Sequence, residues 1–386
     1  MMKSYSDLRC ENMYHEPIHI VFSGGGTGGH LFPGLAVAKR LAASVPNVRI
    51  TFCGSGKAFE QHHVAQAGFG YLAMSSRPLP NGAREAVAFV VENLAGYLTA
   101  RRFLRDEHVA AVVGLGGYAS APMAKAAARL HVPLVLLEQN VIPGRATRWL
   151  SRNATLLCTA FEATQEKIRN RCPIRVTGNP VRETIQPRNV YPSRSRRLVI
   201  LGGSGGARSL NESVPPALYK VREGLQSWQI VHQTGEAGLN DAKTLYGKLG
   251  LNAHVVPFLP NMPKVLAETD FVICRAGGTT LAELAVANVP GVLLPYPRAT
   301  DDHQLVNAQH FAEGGGCVAL DERTSPEPLD DRLASVLGPL LFDEALRNRM
   351  SEAMRELARP NAASDVAELI WSIVSSRSRC AELAVA

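Results

Sequence analysis

The segment HIVFSGGGTGGHLFPGLAVA, residues 19–38, passes from an apolar run through a cluster of glycines into a stretch with helical periodicity. Glycines permit positive φ and close backbone approach, and the amides at a helix start carry partial positive charge, so this junction suits an anion. The spacing predicts a strand over 19–24, a loop over 24–30, and a helix with Pro33 in its first turn. No Lys-Ser/Thr pair follows and the spacing is not GxGxxG, which argues against a P-loop NTPase. RLVILGGSGGAR, residues 197–208, repeats the device in the second half, where Ser204 adds a hydroxyl able to donate to a phosphate oxygen. One such loop can be a tight turn with no ligand. Two, each after the first strand of a half, point to two phosphate-bearing substrates.

Working outward, short apolar runs alternate with helical patterns, the signature of parallel sheets covered by helices on both faces. Strands are predicted at 19–24, 48–54, 110–116, 132–139 and 155–161 in the first half. The second half offers 197–203, 228–235, 254–259, 270–277 and 290–297. The fold class is therefore α/β, with two Rossmann-like, doubly wound parallel-sheet domains facing a central cleft. The expected boundaries are 1–16, an extension assigned no role; 17–182; a Pro-, Ser- and Arg-rich linker at 183–196; 197–357; and 358–386, a last helix packing back on the first domain with a loose tail.

At 386 residues, with 46% hydrophobic and 19% charged, the chain has room for two ordinary cores and the composition of a globular protein. The formal charge of +7 favours anionic partners such as nucleotide diphosphates or an anionic membrane face. No nucleic-acid module or concentrated basic stripe is present, so no nucleic-acid partner is expected. The seven cysteines form no CxxC pair and read as reduced, mostly buried thiols. There is no apolar signal segment and no run of about 18 apolar residues, so the protein is expected to be cytosolic or bound to a membrane surface.

Three further stretches carry chemistry, each with a plainer reading beside it. In RAGGTTLAE (275–283), Thr279 and Thr280 should open a helix and Glu283 could accept both hydroxyls of a ribose; a Thr N-cap with Glu reaching back explains the same residues. Asp301, Asp302, His303 and Gln304, with Asn307 one turn on, suit sugar hydroxyls better than a metal, since no second cluster completes a metal site; a solvated helix start is the alternative. REAVAFVVENLAGYLTARRFLR (84–105) places Val87, Val90, Val91, Leu94, Tyr97 and Leu98 on one face beside Arg101, Arg102 and Arg105. That is either an interfacial membrane-binding helix or an ordinary core-facing one.

Taken in order, GGTGGHLFPGLAVA (25–38), GLGGYASAP (114–122), EQNVIPG (138–144), GNPVR (178–182), GGSGGA (202–207), CRAGGTTLAE (274–283) and DDHQLVNA (301–308) closely resemble the MurG-type N-acetylglucosaminyltransferases of peptidoglycan synthesis, in glycosyltransferase family 28. The resemblance runs from about residue 18 to about 372. It implies a GT-B fold, UDP-N-acetylglucosamine as donor, and as acceptor a lipid-linked muramoylpentapeptide, lipid I. The reaction would be an inverting transfer to the 4-hydroxyl of the muramoyl sugar, giving lipid II at the cytoplasmic face of the inner membrane, where the enzyme sits peripherally. The resemblance surrounds the donor with Thr27, Gly28, Gly29, Asn140, Arg182, Ser204, Leu259, Gly278, Thr279, Thr280, Leu281, Ala282, Glu283 and Gln304. It turns Gly26, His30 and Tyr118 toward the acceptor. The family often has Gln at Gly205, His at Leu137, and in some members Gln at His303.

Such a transfer needs a base for the acceptor hydroxyl and groups that hold the departing UDP. His30 is the candidate base, because the positive end of a helix disfavours imidazolium and keeps the ring able to accept a proton. Its other reading is a donor that orients acceptor or diphosphate, and Glu138 is then the next candidate. Ser204, Arg182 and helix-start amides can compensate the leaving charge, so neither a metal nor a cofactor is expected. A UDP-sugar 2-epimerase on the same architecture, or a non-catalytic sugar-nucleotide sensor, are the competing functions.

Overall fold

Strand β1 (Ile18–Gly24) is buried along its whole length, as a strand covered by helices on both sides must be. It belongs to the computed structural model of the chain, which describes residues 17–80, 82–168, 172–187, 196–203 and 205–385, side chains at 83, 84 and 378–385 excepted. The glycine loop after β1 leads into α1 (Gly28–Ser44). Because that helix begins at Gly28, Pro33 lies in its second turn and not, as the sequence predicts, in the first.

The chain then alternates: β2 (Val48–Gly54), α2 (Ala58–Gln66), β3 (Gly70–Ala73), α3 (Ala83–Asp106), β4 (Ala111–Gly116), α4 (Ala121–Arg129), β5 (Leu134–Glu138), α5 (Arg145–Leu150), β6 (Leu156–Thr159), α6 (Thr164–Lys167) and β7 (Ile174–Val176). These strands form one parallel sheet in the order β3-β2-β1-β4-β5-β6-β7. The order reverses between β1 and β4, the place where open α/β sheets leave a crevice beyond the strand ends.

A second set follows: β8 (Arg196–Leu201), α7 (Arg208–Lys220), β9 (Trp228–Gln233), α8 (Leu239–Lys248), β10 (Ala253–Val256), α9 (Met262–Ala267), β11 (Phe271–Cys274), α10 (Gly278–Val286), β12 (Gly291–Leu293), α11 (His303–Glu313), β13 (Cys317–Ala319), α12 (Leu329–Phe342) and α13 (Glu344–Leu357). Its sheet, also parallel, runs β10-β9-β8-β11-β12-β13 and reverses between β8 and β11.

The last helix, α14 (Ala362–Val385), returns to the first set. Val366, Ala367, Ile370 and Val374 are buried in one cluster with Leu31, Leu35, Ala38 and Leu41 of α1. Each large side chain in that seam contributes about 1.5–3 kcal/mol of burial.

The chain thus divides into two compact units, 1–139 with 143–180 and 361–386, and 140–142 with 181–360. Two details differ from the boundaries expected at 182 and 197. Arg182 falls in the second unit because its guanidinium pairs with Glu283. Residues 140–142 do so because Asn307 holds them: its Oδ1 accepts from the Val141 amide at 3.0 Å and its Nδ2 donates to Asn140 Oδ1 at 3.0 Å. Most of the expected linker, 188–195, lies outside the described residues, as does the extension 1–16.

Candidate active site

In the first unit the loop after β1 and the turn after β4 meet at the switch point. The His30 ring lies over Gly116 and Gly117: a Cβ at Gly116 would fall 2.9 Å from His30 Cδ2 and 3.6 Å from Gln139 Oε1. Both glycines hold positive φ, +97° and +72°, a backbone that disfavours a side chain, and at Gly116 the ring also stands in its way. The Gln139 amide donates to the Leu115 carbonyl at 3.1 Å, fixing the ends of β4 and β5 beside the histidine. His30 Nδ1 is 3.3 Å from the Thr27 hydroxyl. Thr27 is the extended residue before α1 and makes no side-chain cap, so its hydroxyl faces the histidine instead of the helix amides. Tyr118 follows Gly117 and is 36% exposed.

Thr27, Gly28, Gly29, His30 and Tyr118 are therefore gathered at this switch point, with Gly26 beside them. The Gly26 amide, however, is directed inward to the Glu60 carboxylate, a buried residue that the sequence pattern does not single out. Glu138 lies at the end of β5 and is buried; its Oε2 accepts from the Gly144 amide at 2.9 Å, immediately before α5. That bond gives its carboxylate a helix-start role.

In the second unit, loops after β8 and β11 flank the other switch point. The Gly202 amide and the Gly203 carbonyl are both tied to Gln233, which fixes the start of the second glycine loop. Ser204 itself lies outside the described residues. A Cβ at Gly205 would meet open space. After β11, α10 begins at Gly278 with Gly277 as its N-cap, so the Thr-capping alternative for this stretch is not what forms.

Glu283, one turn further in, is almost fully buried and pairs with Arg182. Arg182 Nη2 and Nε donate at 2.7 and 3.0 Å, both to Oε1. Thr279 and Leu281 are buried beside it, and Thr280 and Ala282 are half-buried. Gln304 uses its carbonyl to accept from the Tyr296 amide at 3.0 Å.

Asn307, read as a sugar ligand, is fully buried; besides residues 140 and 141 it donates to the Ala276 carbonyl at 3.1 Å. It is the tie that brings Asn140 to the loop after β11. Asp302 pairs with Arg323 at 2.9 Å, and His303 Nδ1 lies 2.8 Å from the Thr300 carbonyl. Among the described residues no group of three or more His, Cys, Asp or Glu is placed to hold a metal ion. Leu259 follows β10, in the stretch whose Pro257 carbonyl accepts from the Gly235 amide, and Gly235 packs against Gly206 of the second glycine loop. Arg275, which sequence reasoning passed over, donates to Glu322, to the Ser209 hydroxyl at 2.6 Å and to the Leu294 carbonyl at 2.9 Å, fastening the loop after β11 to the start of α7.

Burial raises the Glu283 pKa, and Arg182 opposes the rise. A carboxyl whose folded pKa lies above its unfolded value opposes folding above that pKa and ceases to do so as pH falls through it. Arg182→Ala leaves burial unopposed. The variant is expected to lose about 3 kcal/mol at pH 8, the scale for stranding one partner of a buried pair, and less at pH 5, the direction in which a raised carboxyl pKa favours the protonated form. Urea unfolding at the two pH values measures this; an equal loss at both contradicts it.

The glycosyltransferase family 28 N-terminal domain matches residues 20–159, and the family 28 C-terminal domain matches residues 197–368. A UDP-N-acetylglucosamine–N-acetylmuramyl-(pentapeptide) pyrophosphoryl-undecaprenol N-acetylglucosamine transferase from Methylococcus capsulatus is 39% identical over 355 residues, 91% of this chain and 97% of that protein. The enzyme of the same name from Geobacter sulfurreducens is 34% identical, over 90% of this chain and 97% of its own length. The crystal structure of Acinetobacter baumannii MurG superposes with a TM-score of 0.73 at 31% identity, covering 92% of this chain and all of that one. A UDP-N-acetylglucosamine 2-epimerase structure from Listeria monocytogenes, at 14% identity and a TM-score of 0.67, shares the fold. With both sheets, both glycine loops and both family domains in place, this chain is a GT-B glycosyltransferase of family 28 and belongs to the MurG family of N-acetylglucosamine transferases.

Proposed function

We propose that the chain transfers N-acetylglucosamine from UDP-N-acetylglucosamine to the 4-hydroxyl of a muramoyl sugar carried on undecaprenyl diphosphate, with inversion at the sugar C1. The observation that carries this reading is His30, set over Gly116 and Gly117 where the first glycine loop and the end of β4 meet. With Nδ1–H donated to Thr27, the neutral ring keeps Nε2 as the proton acceptor for the attacking hydroxyl. The first glycine loop from Gly26, together with Tyr118, serves the acceptor's diphosphate and sugar, and Thr27, Gly28 and Gly29 at the start of α1 also border the donor. In the second unit Glu283 takes the ribose diol through Oε2. Asn140, Arg182, Leu259, Gln304 and the residues from Gly278 to Ala282 complete the donor side, with Ser204 on the diphosphate. Product analysis tests this against epimerisation: donor alone should stay unchanged, and conversion of the donor without acceptor would contradict the proposal.

The acceptor's lipid requires a surface, and α3 offers one. Val87, Val90, Val91, Leu94 and Leu98, spaced along one face, are between 46% and 69% exposed, while Ala100 and Leu104 on the opposite side enter the core. Apart from Tyr97, which packs against that core, the apolar stripe is thus not the core-facing side of the helix. Arg102 and Arg105 are exposed near its end. No described helix is long and apolar enough to cross a membrane. Peripheral attachment through this face, at the cytoplasmic leaflet, fits a basic amphipathic helix. Binding to anionic vesicles should fall with salt, since exposed charge is screened within about 8–10 Å at moderate ionic strength. A variant with Arg101, Arg102 and Arg105 replaced by Ala should bind less; equal cosedimentation of wild type and variant would contradict attachment here.

A further inference from the structure

Beneath the first glycine loop lies a carboxylate that the transfer chemistry above does not use. Glu60, on the first turn of α2, is fully buried. Four donors converge on it: the Gly26 amide, the Ser55 amide at 2.8 Å, the Ser55 hydroxyl at 2.8 Å and the Tyr71 hydroxyl at 2.6 Å. An acceptor-only carboxylate satisfies such a set, and a carboxamide cannot. Tyr71 in turn accepts from the Gly56 amide at 2.8 Å; burial, reinforced by Glu60, pushes its phenol up and keeps it a donor. The turn before α2 adds Lys57, whose Nζ donates to the Gly26 carbonyl at 3.0 Å.

Gly26 is therefore gripped at its amide and at its carbonyl, in a left-handed conformation of φ +88°. Its neighbour Gly25 has no room for a side chain, because a Cβ there would fall 2.7 Å from Glu60 Oε1. Two consequences follow for the loop. The Gly26 amide faces Glu60, so the amides presented to an anion begin with the following residues. And the next residue is Thr27, the one in contact with His30.

We infer that Glu60 is a positioning residue for the acceptor half of the reaction: it fixes Gly26, and through Gly26 the placement of Thr27, His30 and the first amides of α1. This rests on the role proposed above for His30. A misplacement near 1 Å at a reacting group can lower a rate by about 100-fold, so a clamp one residue away from Thr27 has leverage on turnover.

Glu60→Gln keeps the volume and turns an NH2 toward at least one of the four donors. Turnover is expected to fall about 10- to 100-fold, while the dissociation constant for UDP-N-acetylglucosamine stays within about twofold. Tyr71→Phe removes one donor and should lower turnover about 2- to 10-fold, the scale of one hydrogen bond. In both variants the His30 imidazole resonances, followed by NMR against pH, should move. A purely structural role would instead lower the melting temperature and leave turnover per folded molecule and the His30 resonances as in wild type; that result overturns the inference. Should Glu60→Gln fail to fold, Tyr71→Phe decides by the same readouts. Should wild type transfer no sugar at all, the functional reading fails, and the His30 resonances still decide the clamp.

Discussion

His30→Ala is expected to lower kcat by about 10²–10⁴, the range for a positioned general base, and to leave the affinity for UDP-N-acetylglucosamine nearly unchanged. The split follows from placement: His30 belongs to the first unit, and Arg182, Glu283 and Gln304 belong to the second. The pH dependence should change as well. A base that must be neutral makes wild-type kcat fall at acid pH, and the variant should lose that limb. A histidine that only orients the acceptor predicts a rise in acceptor KM larger than the fall in kcat, with the acidic limb kept. Steady-state kinetics across pH for both proteins separates the two. A retained limb with near-normal kcat would remove His30 from the base role; Glu138 then has to be weighed with its carboxylate already accepting the Gly144 amide.

Glu283→Ala is the second large effect. Arg182 donates to Oε1, and the burial of the group makes a ligand's hydrogen bond to Oε2 a charge-assisted one in a dry setting. Losing it should weaken donor binding by about 1.5–3 kcal/mol, or about 10- to 150-fold in Kd. Glu283→Gln should fall between, since it keeps an acceptor and loses the charge that Arg182 pairs with. Calorimetric titration with UDP-N-acetylglucosamine measures both, and an unchanged Kd for Glu283→Ala would take the residue out of the donor site.

The parts legible in the sequence are those with local causes. Long apolar runs between turn residues mark the central strands, and β1, β2, β4, β8 and β9 begin and end within a few residues of the expected places. Both glycine loops fall at switch points because each follows the first strand of its sheet. The runs do not mark β3, β7 and β13, which are short edge strands with partly exposed residues and hence little hydrophobic signal. β12 stops at Leu293, short of the run that predicts it, where Pro295 and Pro297 remove ladder donors.

Site residues divide the same way. His30 and Thr27 announce themselves by standing at a glycine loop. Glu60 stands at no motif and Arg275 only opens one, and their roles come from partners far along the chain, Gly26 for one and Glu322 for the other. Asn307 shows the converse. Its spacing after Gln304 suggests a ligand, yet its contacts with Asn140, Val141 and Ala276 make it a structural tie. The stripe on α3 has helical periodicity in either reading, and only tertiary packing, with Ala100 and Leu104 on the inner side, shows which face is outside.

The central claim is sugar transfer onto the muramoyl 4-hydroxyl, and one labelling experiment meets it directly. Wild-type protein is given UDP-N-acetylglucosamine labelled in the sugar, with lipid I whose 4-hydroxyl is either free or replaced by hydrogen, and the label in the lipid phase is followed. The account predicts β-linked label in the lipid phase with the free hydroxyl and none with the 4-deoxy acceptor. Equal labelling of both acceptors, or a C2-epimerised UDP-sugar formed with neither, would contradict it.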